Sequence, residues 1–267
     1  MAKNREIITV QEVPYGWARK DLEFDRAIRK GHVNRKVRIV QEWLCHHGVL
    51  LSIDGDFGPI TEKAVLKFQG RKGLEKTGVA DRETFQRLTT PMLRALTPLL
   101  PDARPYHRMI VALARQHLAE HPREIGGENR GPWVRLYMKG NDGKEWLWCA
   151  GFVSFIMQQA ADVMQIAAPI QSTFSCDVLA ERAMADERFI SERSLNRGEV
   201  SPRDIPPGSL FLCRRTPSDW NHVGIVTRFE EEGFETIEGN TNDEGSREGY
   251  EVCKRLRGYK KKDFIRL

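Results

Sequence analysis

The residue of this chain best placed to act as a nucleophile is Cys149, in the stretch KEWLWCAGFVSFI at 144–156. Ala150 and Gly151 follow it, and then a long apolar run begins. The pattern predicts a helix that starts at the cysteine, where unpaired backbone N–H groups and the helix dipole would stabilise a thiolate. Small residues in the first turn would leave the sulfur open to a substrate, and the apolar run behind them would anchor it. Cys45, Cys176, Cys213 and Cys253 have no comparable setting and read as buried structural thiols.

A thiolate needs a base, and the base needs a partner that fixes its tautomer. His222 meets the first need: it opens the strand-like run HVGIVTRF after the Asp219–Trp220–Asn221 loop and would project from a strand end. The next such run ends in IEGN. If the two form a hairpin closed by EEEG, even-numbered positions share a face, which brings His222, Glu238 and Asn240 together. The simplest register sets Asn240 nearer to His222, and a bulge or longer turn favours Glu238, so both stay open as the orienting group. The remaining histidines read as surface or capping residues. Cys45, His46 and His47 do not make a zinc site, because neighbours on a helix point about 100° apart. Neither a metal nor a cofactor is expected.

The elements that must position these residues change character along the chain. From Tyr106 to about Ala185 the periodicity is helical, with Phe152, Ile156, Val163 and Ile166 on one face of the helix begun at Cys149. From Ser209 the runs SLFLC, HVGIVTRF, FETIEGN, YEVCKRLR and DFIRL read as short strands between the turn clusters IPPG, EEEG and NDEGSREG. Helices followed by antiparallel strands make an α+β fold. Residues 35–88 follow another pattern, three short helices around two tight turns. Val37, Val40 and Leu44 precede Gly48, Ala64, Val65 and Phe68 precede Gly70 and Gly73, and Phe85 and Leu88 follow an Asp81 N-cap. The intervening DGDFGP lacks the alternating acidic ligands and closing glutamate of a calcium loop. TPLLPDARP is linker-like. The expected organisation is an arm at 1–34, a helical module at 35–92, a linker at 93–105 and an α+β domain at 106–267.

A length of 267 residues suits two domains. The net charge is +5, but the positive residues, including the run Lys260–Lys262, are scattered among almost as many acids. With no basic-aromatic motif beside them, nucleic acid is not an expected partner. No apolar stretch approaches the roughly 20 residues of a membrane span, and the opening MAKNREIITVQEVPYGW lacks the apolar core of an export signal. Synthesis in the cytoplasm without a signal peptide is expected. Five widely spaced cysteines read as reduced thiols.

Two resemblances add to this reading. VQEWLCHHGVLLSIDGDFGPITEKAVLKFQGRKGLEKTGVADRETFQRL resembles the peptidoglycan-binding module of cell-wall enzymes, in its helix, DGxFGPxT, helix, FQ and GxxxTGxxDxxT order. WCAGFVSFI, HVGIVT and IEGNT, in that order, resemble the cysteine, histidine-dependent amidohydrolase/peptidase (CHAP) domain, a papain-like branch of cell-wall hydrolases. The second resemblance implies Cys149 as nucleophile, His222 as base, Glu238 as the third member that orients the imidazole and Asn240 as a fourth polar member. ENRGPWV is similar to the loop that lines that family's groove, which implies substrate contacts at Asn129 and Trp133, joined by Trp148 and Trp220 beside the nucleophile and base. The calcium-binding repeats of some relatives have no counterpart, and NDG at 141–143 reads as a turn.

Together the resemblances imply a peptidoglycan hydrolase that cuts an amide by acyl transfer, as a stem-peptide endopeptidase or an N-acetylmuramoyl-L-alanine amidase. Its partner would be bacterial peptidoglycan, reached after lysis, through a holin or by dedicated secretion. The alternatives are a catalytically inactive wall-binding structural or adaptor protein, and an intracellular protease or amidase.

Overall fold

A computed structural model describes residues 6–100, 104–241 and 249–267. Helix α1 (Gly16–Leu22) lies within the expected arm. Helix α2 (Arg35–His46) begins where the Asn34 side chain accepts a hydrogen bond from the Val37 N–H at 3.1 Å. Helix α3 (Pro59–Lys72) has proline in its first turn and ends on Gly73 at φ 68°, a left-handed cap that glycine adopts without strain. Helix α4 (Arg82–Leu96) starts from the Asp81 cap and runs past Leu88 through Pro91. Burial of Leu88, Met92, Leu93 and Leu96 offsets the hydrogen bond that the proline removes.

Two buried glutamines organise the tight turns in the same way. The Gln41 side chain donates to Asp54, Asp56 and Thr61 and accepts from the Gly55 N–H at 2.8 Å. Gln69 donates to Thr77, Val79 and Thr84 and accepts from the Gly78 N–H at 3.0 Å. Each spends its whole amide on a loop whose backbone would otherwise lack partners.

Contacts divide the chain into two units. The first comprises Met1–Thr97 and Arg123–Lys144, and the second Pro98–Pro122 and Glu145–Leu267. Helix α5 (Tyr106–Leu118) therefore belongs to the second unit, whereas α6 (Pro132–Tyr137) returns to the first. Segment 123–144 was expected in the C-terminal domain, and Arg135 supplies the physical reason for its place. Its buried guanidinium bonds Asp21 at 2.5 Å, Glu42 at 2.5 Å and Asp142 at 2.7 Å, so α6 neutralises carboxylates buried on α1 and α2. The linker expected at 93–105 begins inside α4, whose Leu93 and Leu96 are buried, and the two units divide at Thr97 and Pro98.

In the second unit, α7 (Cys149–Met164) is buried on every side from Cys149 to Met157, as its all-round apolar sequence requires. It packs on α5 and on the strands β3 (Asp219–Phe229) and β4 (Phe234–Thr241). Helix α8 (Cys176–Ala185) packs on β3, and a short helix, α9 (Glu192–Asn196), follows. Strands β1 (Phe189–Ile190), β2 (Leu210–Thr216), β5 (Glu251–Arg257) and β6 (Lys262–Ile265) complete an antiparallel sheet in the order β1-β6-β2-β3-β4-β5. The fold is α+β. Five strands match the strand-like runs of the sequence; β1, only two residues long, falls in none of them. Most of the NDEGSREG cluster lies outside the described residues. Among the described residues, no helix is long and apolar enough to cross a membrane.

Candidate active site

Cys149 occupies the first position of α7, behind Trp148, whose side chain makes no capping bond. The Ala150 N–H points at the sulfur. Strand β3 begins three residues before His222, so the imidazole projects from inside a strand, opposite Cys213, and not from its end. His222 Nε2 lies 2.7 Å from Glu238 Oε2. That contact places the ring proton on Nε2 and leaves Nδ1 to the Cys149 thiol, with which the imidazole also hydrogen-bonds. Cys149 is 6% exposed, His222 7% and Glu238 0%, so the relay works in a low dielectric, where each interaction is strong.

Two further neighbours join this relay: Cys176, expected to be a structural thiol, and Arg257, which the sequence did not single out. Cys176, the first residue of α8, brings its sulfur within 3.9 Å of Cys149 Sγ. The Cys176 thiol and His222 hold the Cys149 thiol well below its usual range, against burial, which pushes it up. Cys176, facing the same anion, is raised well above that range. Burial pushes His222 down, but its bonds to Cys149 and Glu238 carry it above the ordinary imidazole range. The second neighbour is Arg257, whose Nε and Nη2 donate to Glu238 at 2.8 and 2.6 Å. Burial raises the Glu238 carboxyl, and hydrogen bonds from Arg257 and His222 outweigh that effect, taking it down to about 2.

Past the pair Ile225–Ile237 the register sets Glu238 opposite Gly224, so Glu238 reaches His222 across that glycine, and the choice of Glu238 over Asn240 turns on the bulge that Asn240 occupies. Strands β3 and β4 shift register between Val226 and Arg228, and β4 shifts against β5 between Glu238 and Thr241. Asn240 lies in the second bulge at φ 54°, buried, with no hydrogen bond to its Oδ1. Asn240 thus leaves the alternation that the simple hairpin assumed. Gly239 between them lets β4 lie against α7, since a Cβ there would come within 2.8 Å of Phe152 and Trp148.

The residues expected to line a groove are placed otherwise. Asn129 and Trp133 belong to the first unit, where Asn129 Nδ2 donates to the Lys144 carbonyl and Trp133 packs edge-on to Trp43. Trp148 is fully buried beneath β4, and Trp220 is 5% exposed with its Nε1 bonded to Asp263. None of these four side chains presents a face to a ligand. Among the described residues, no group of three histidine, cysteine or acidic side chains is arranged to hold a metal ion.

Comparison with known proteins bears on the first unit. Residues 34–88 match the family described as a peptidoglycan binding domain. A solved structure of a peptidoglycan-binding protein from Clostridioides difficile, in complex with glutamine hydroxamate, is 30% identical over 27% of this chain and 44% of that one, with a TM-score of 0.24. The chain thus spans less than half of that relative's length. No curated protein matches.

Proposed function

We propose that this chain, which carries a peptidoglycan-binding domain at residues 34–88, is a thiol-dependent peptidoglycan hydrolase of the CHAP type. The observation that carries the reading is the buried series Cys149, His222, Glu238 at a helix start. In the reaction, Cys149 attacks an amide carbonyl of a stem peptide or of the lactyl-alanine junction, and the carbonyl carbon gains a bond to sulfur. His222 takes the thiol proton and passes a proton to the departing amine; water then cleaves the thioester and regenerates the thiol. The Cys149 backbone N–H at the start of α7 suits a developing oxyanion. Glu238 holds the imidazole and balances its charge.

The first unit supplies the anchor. Joining a weak wall binder to a hydrolase raises the local concentration of substrate without new contacts at the reacting bond. The test is digestion of purified sacculi by the whole protein and by Cys149→Ala, with released fragments identified by mass spectrometry. The whole protein releases fragments that carry a new amine terminus, and the variant sediments with sacculi but releases none. Binding without release by both proteins favours the inactive adaptor.

A further inference from the structure

We infer that Arg257 is a positioning residue of the thiol site, which clamps Glu238 as a carboxylate and aims its Oε2 at His222. The inference rests on the thiol reading above. Arg257 stands opposite Phe234, and its side chain extends along β4 past Thr236 to Glu238, with its guanidinium 5.9 Å from the Phe211 ring centroid. Glu238 Oε2 accepts from His222 Nε2 and Arg257 Nη2, while Oε1 accepts from Arg257 Nε and from Thr236 Oγ1 at 2.6 Å. Four donors fill the lone pairs of two oxygens, so a proton on the carboxyl could enter only by breaking one of these bonds.

A carboxylate without exposure to water and with only an imidazole for company takes up a proton at mildly acidic pH. Once neutral it no longer balances an imidazolium. Arg257 prevents this and closes a series of alternating charges: thiolate, imidazolium, carboxylate, guanidinium. The other ionisable groups around the series are Cys176 and Asp177 from α8, Cys213 from β2 and Cys253 from β5. None of these is cationic, and among the described residues Arg257 is the fixed positive charge that bonds Glu238. Removing it raises the proton affinity of Cys149, His222 and Glu238 alike.

The test is the pH dependence of Cys149 alkylation by iodoacetamide, resolved by peptide mass spectrometry in the full chain, beside kcat/KM on soluble muropeptides. Folding of each variant is checked by circular dichroism. Arg257→Gln moves the acid limb of both profiles upward by about one pH unit or more. Arg257→Lys restores the position of the limb but not the full rate, because it returns the charge without the paired donors. Thr236→Val, nearly isosteric, shifts the limb in the same direction by less and serves if Arg257→Gln does not fold. A Cys149 midpoint in the unmodified protein equal to that of a free thiol overturns the thiol reading itself. A low midpoint that neither Arg257→Gln nor Thr236→Val moves overturns the clamp alone.

Discussion

At Glu238 an ionised carboxyl with no contact to water is sustained by four donors, and its replacement separates charge from shape. Glu238→Gln keeps the volume but leaves Arg257 without a counter-charge, at an expected cost of about 3–5 kcal/mol in stability. It should also lower kcat/KM far more than Asn240→Ala, whose Oδ1 accepts no bond. Chemical denaturation and muropeptide assays measure both effects. The same residue sets an acid limit. Its carboxyl lies near 2 in the fold against an unperturbed 4.5, so the stability it contributes is complete above about pH 4.5 and drains away as the pH falls toward 2. Urea midpoints of the unmodified protein and Glu238→Gln should therefore converge across that window. Cys149 and His222 were legible in the sequence because a helix start and a strand place them, whereas the strand pattern alone left Glu238 and Asn240 open. Arg257 and Cys176 were not legible, since only the register of β5 and the docking of α8 bring them to the site.

Among the elements, α7 carries the sulfur and β4 the carboxylate that holds the imidazole, and the two meet at Gly239. Gly239→Ala would drive a methyl group to within 2.8 Å of Phe152 and Trp148, so the strand must lift away from the helix. The expected loss is about 1–3 kcal/mol of stability together with a fall in kcat that exceeds any change in KM. Thermal unfolding and steady-state assays test it; an unchanged kcat in a folded variant would mean that the contact does not set the site. Five short β-branched or aromatic runs between turn clusters gave away the sheet. Bulges left no such trace. Asn240 sits at positive φ because of backbone geometry on both sides of Gly239, and no composition rule marks that position. Trp133 and Trp148 misled for the opposite reason: a tryptophan beside a motif looks like a ligand platform, and here each ring fills a core.

For the molecule as a whole, neither unit is one continuous stretch of chain. Arg135 from the later stretch of the first unit neutralises Asp21 and Glu42 from the earlier one. Arg135→Ala would leave the buried Asp21 and Glu42 only their ion pairs with the more exposed Arg35 and Arg38, and should cost the first unit up to about 3–5 kcal/mol. Sacculus binding should then fail at a lower temperature than cleavage of soluble muropeptides. The sequence showed the module at 35–88 through its turns, but this closing segment announces itself only through partners more than 90 residues away. The interruption also orders events during synthesis. The stretch Met1–Thr97 leaves the ribosome with Asp21 and Glu42 still lacking Arg135, and the intervening residues belong to the other unit. At ordinary elongation rates the roughly fifty residues up to Lys144 take about 2–10 s, an interval in which the nascent wall anchor is incomplete and open to chaperones and proteases.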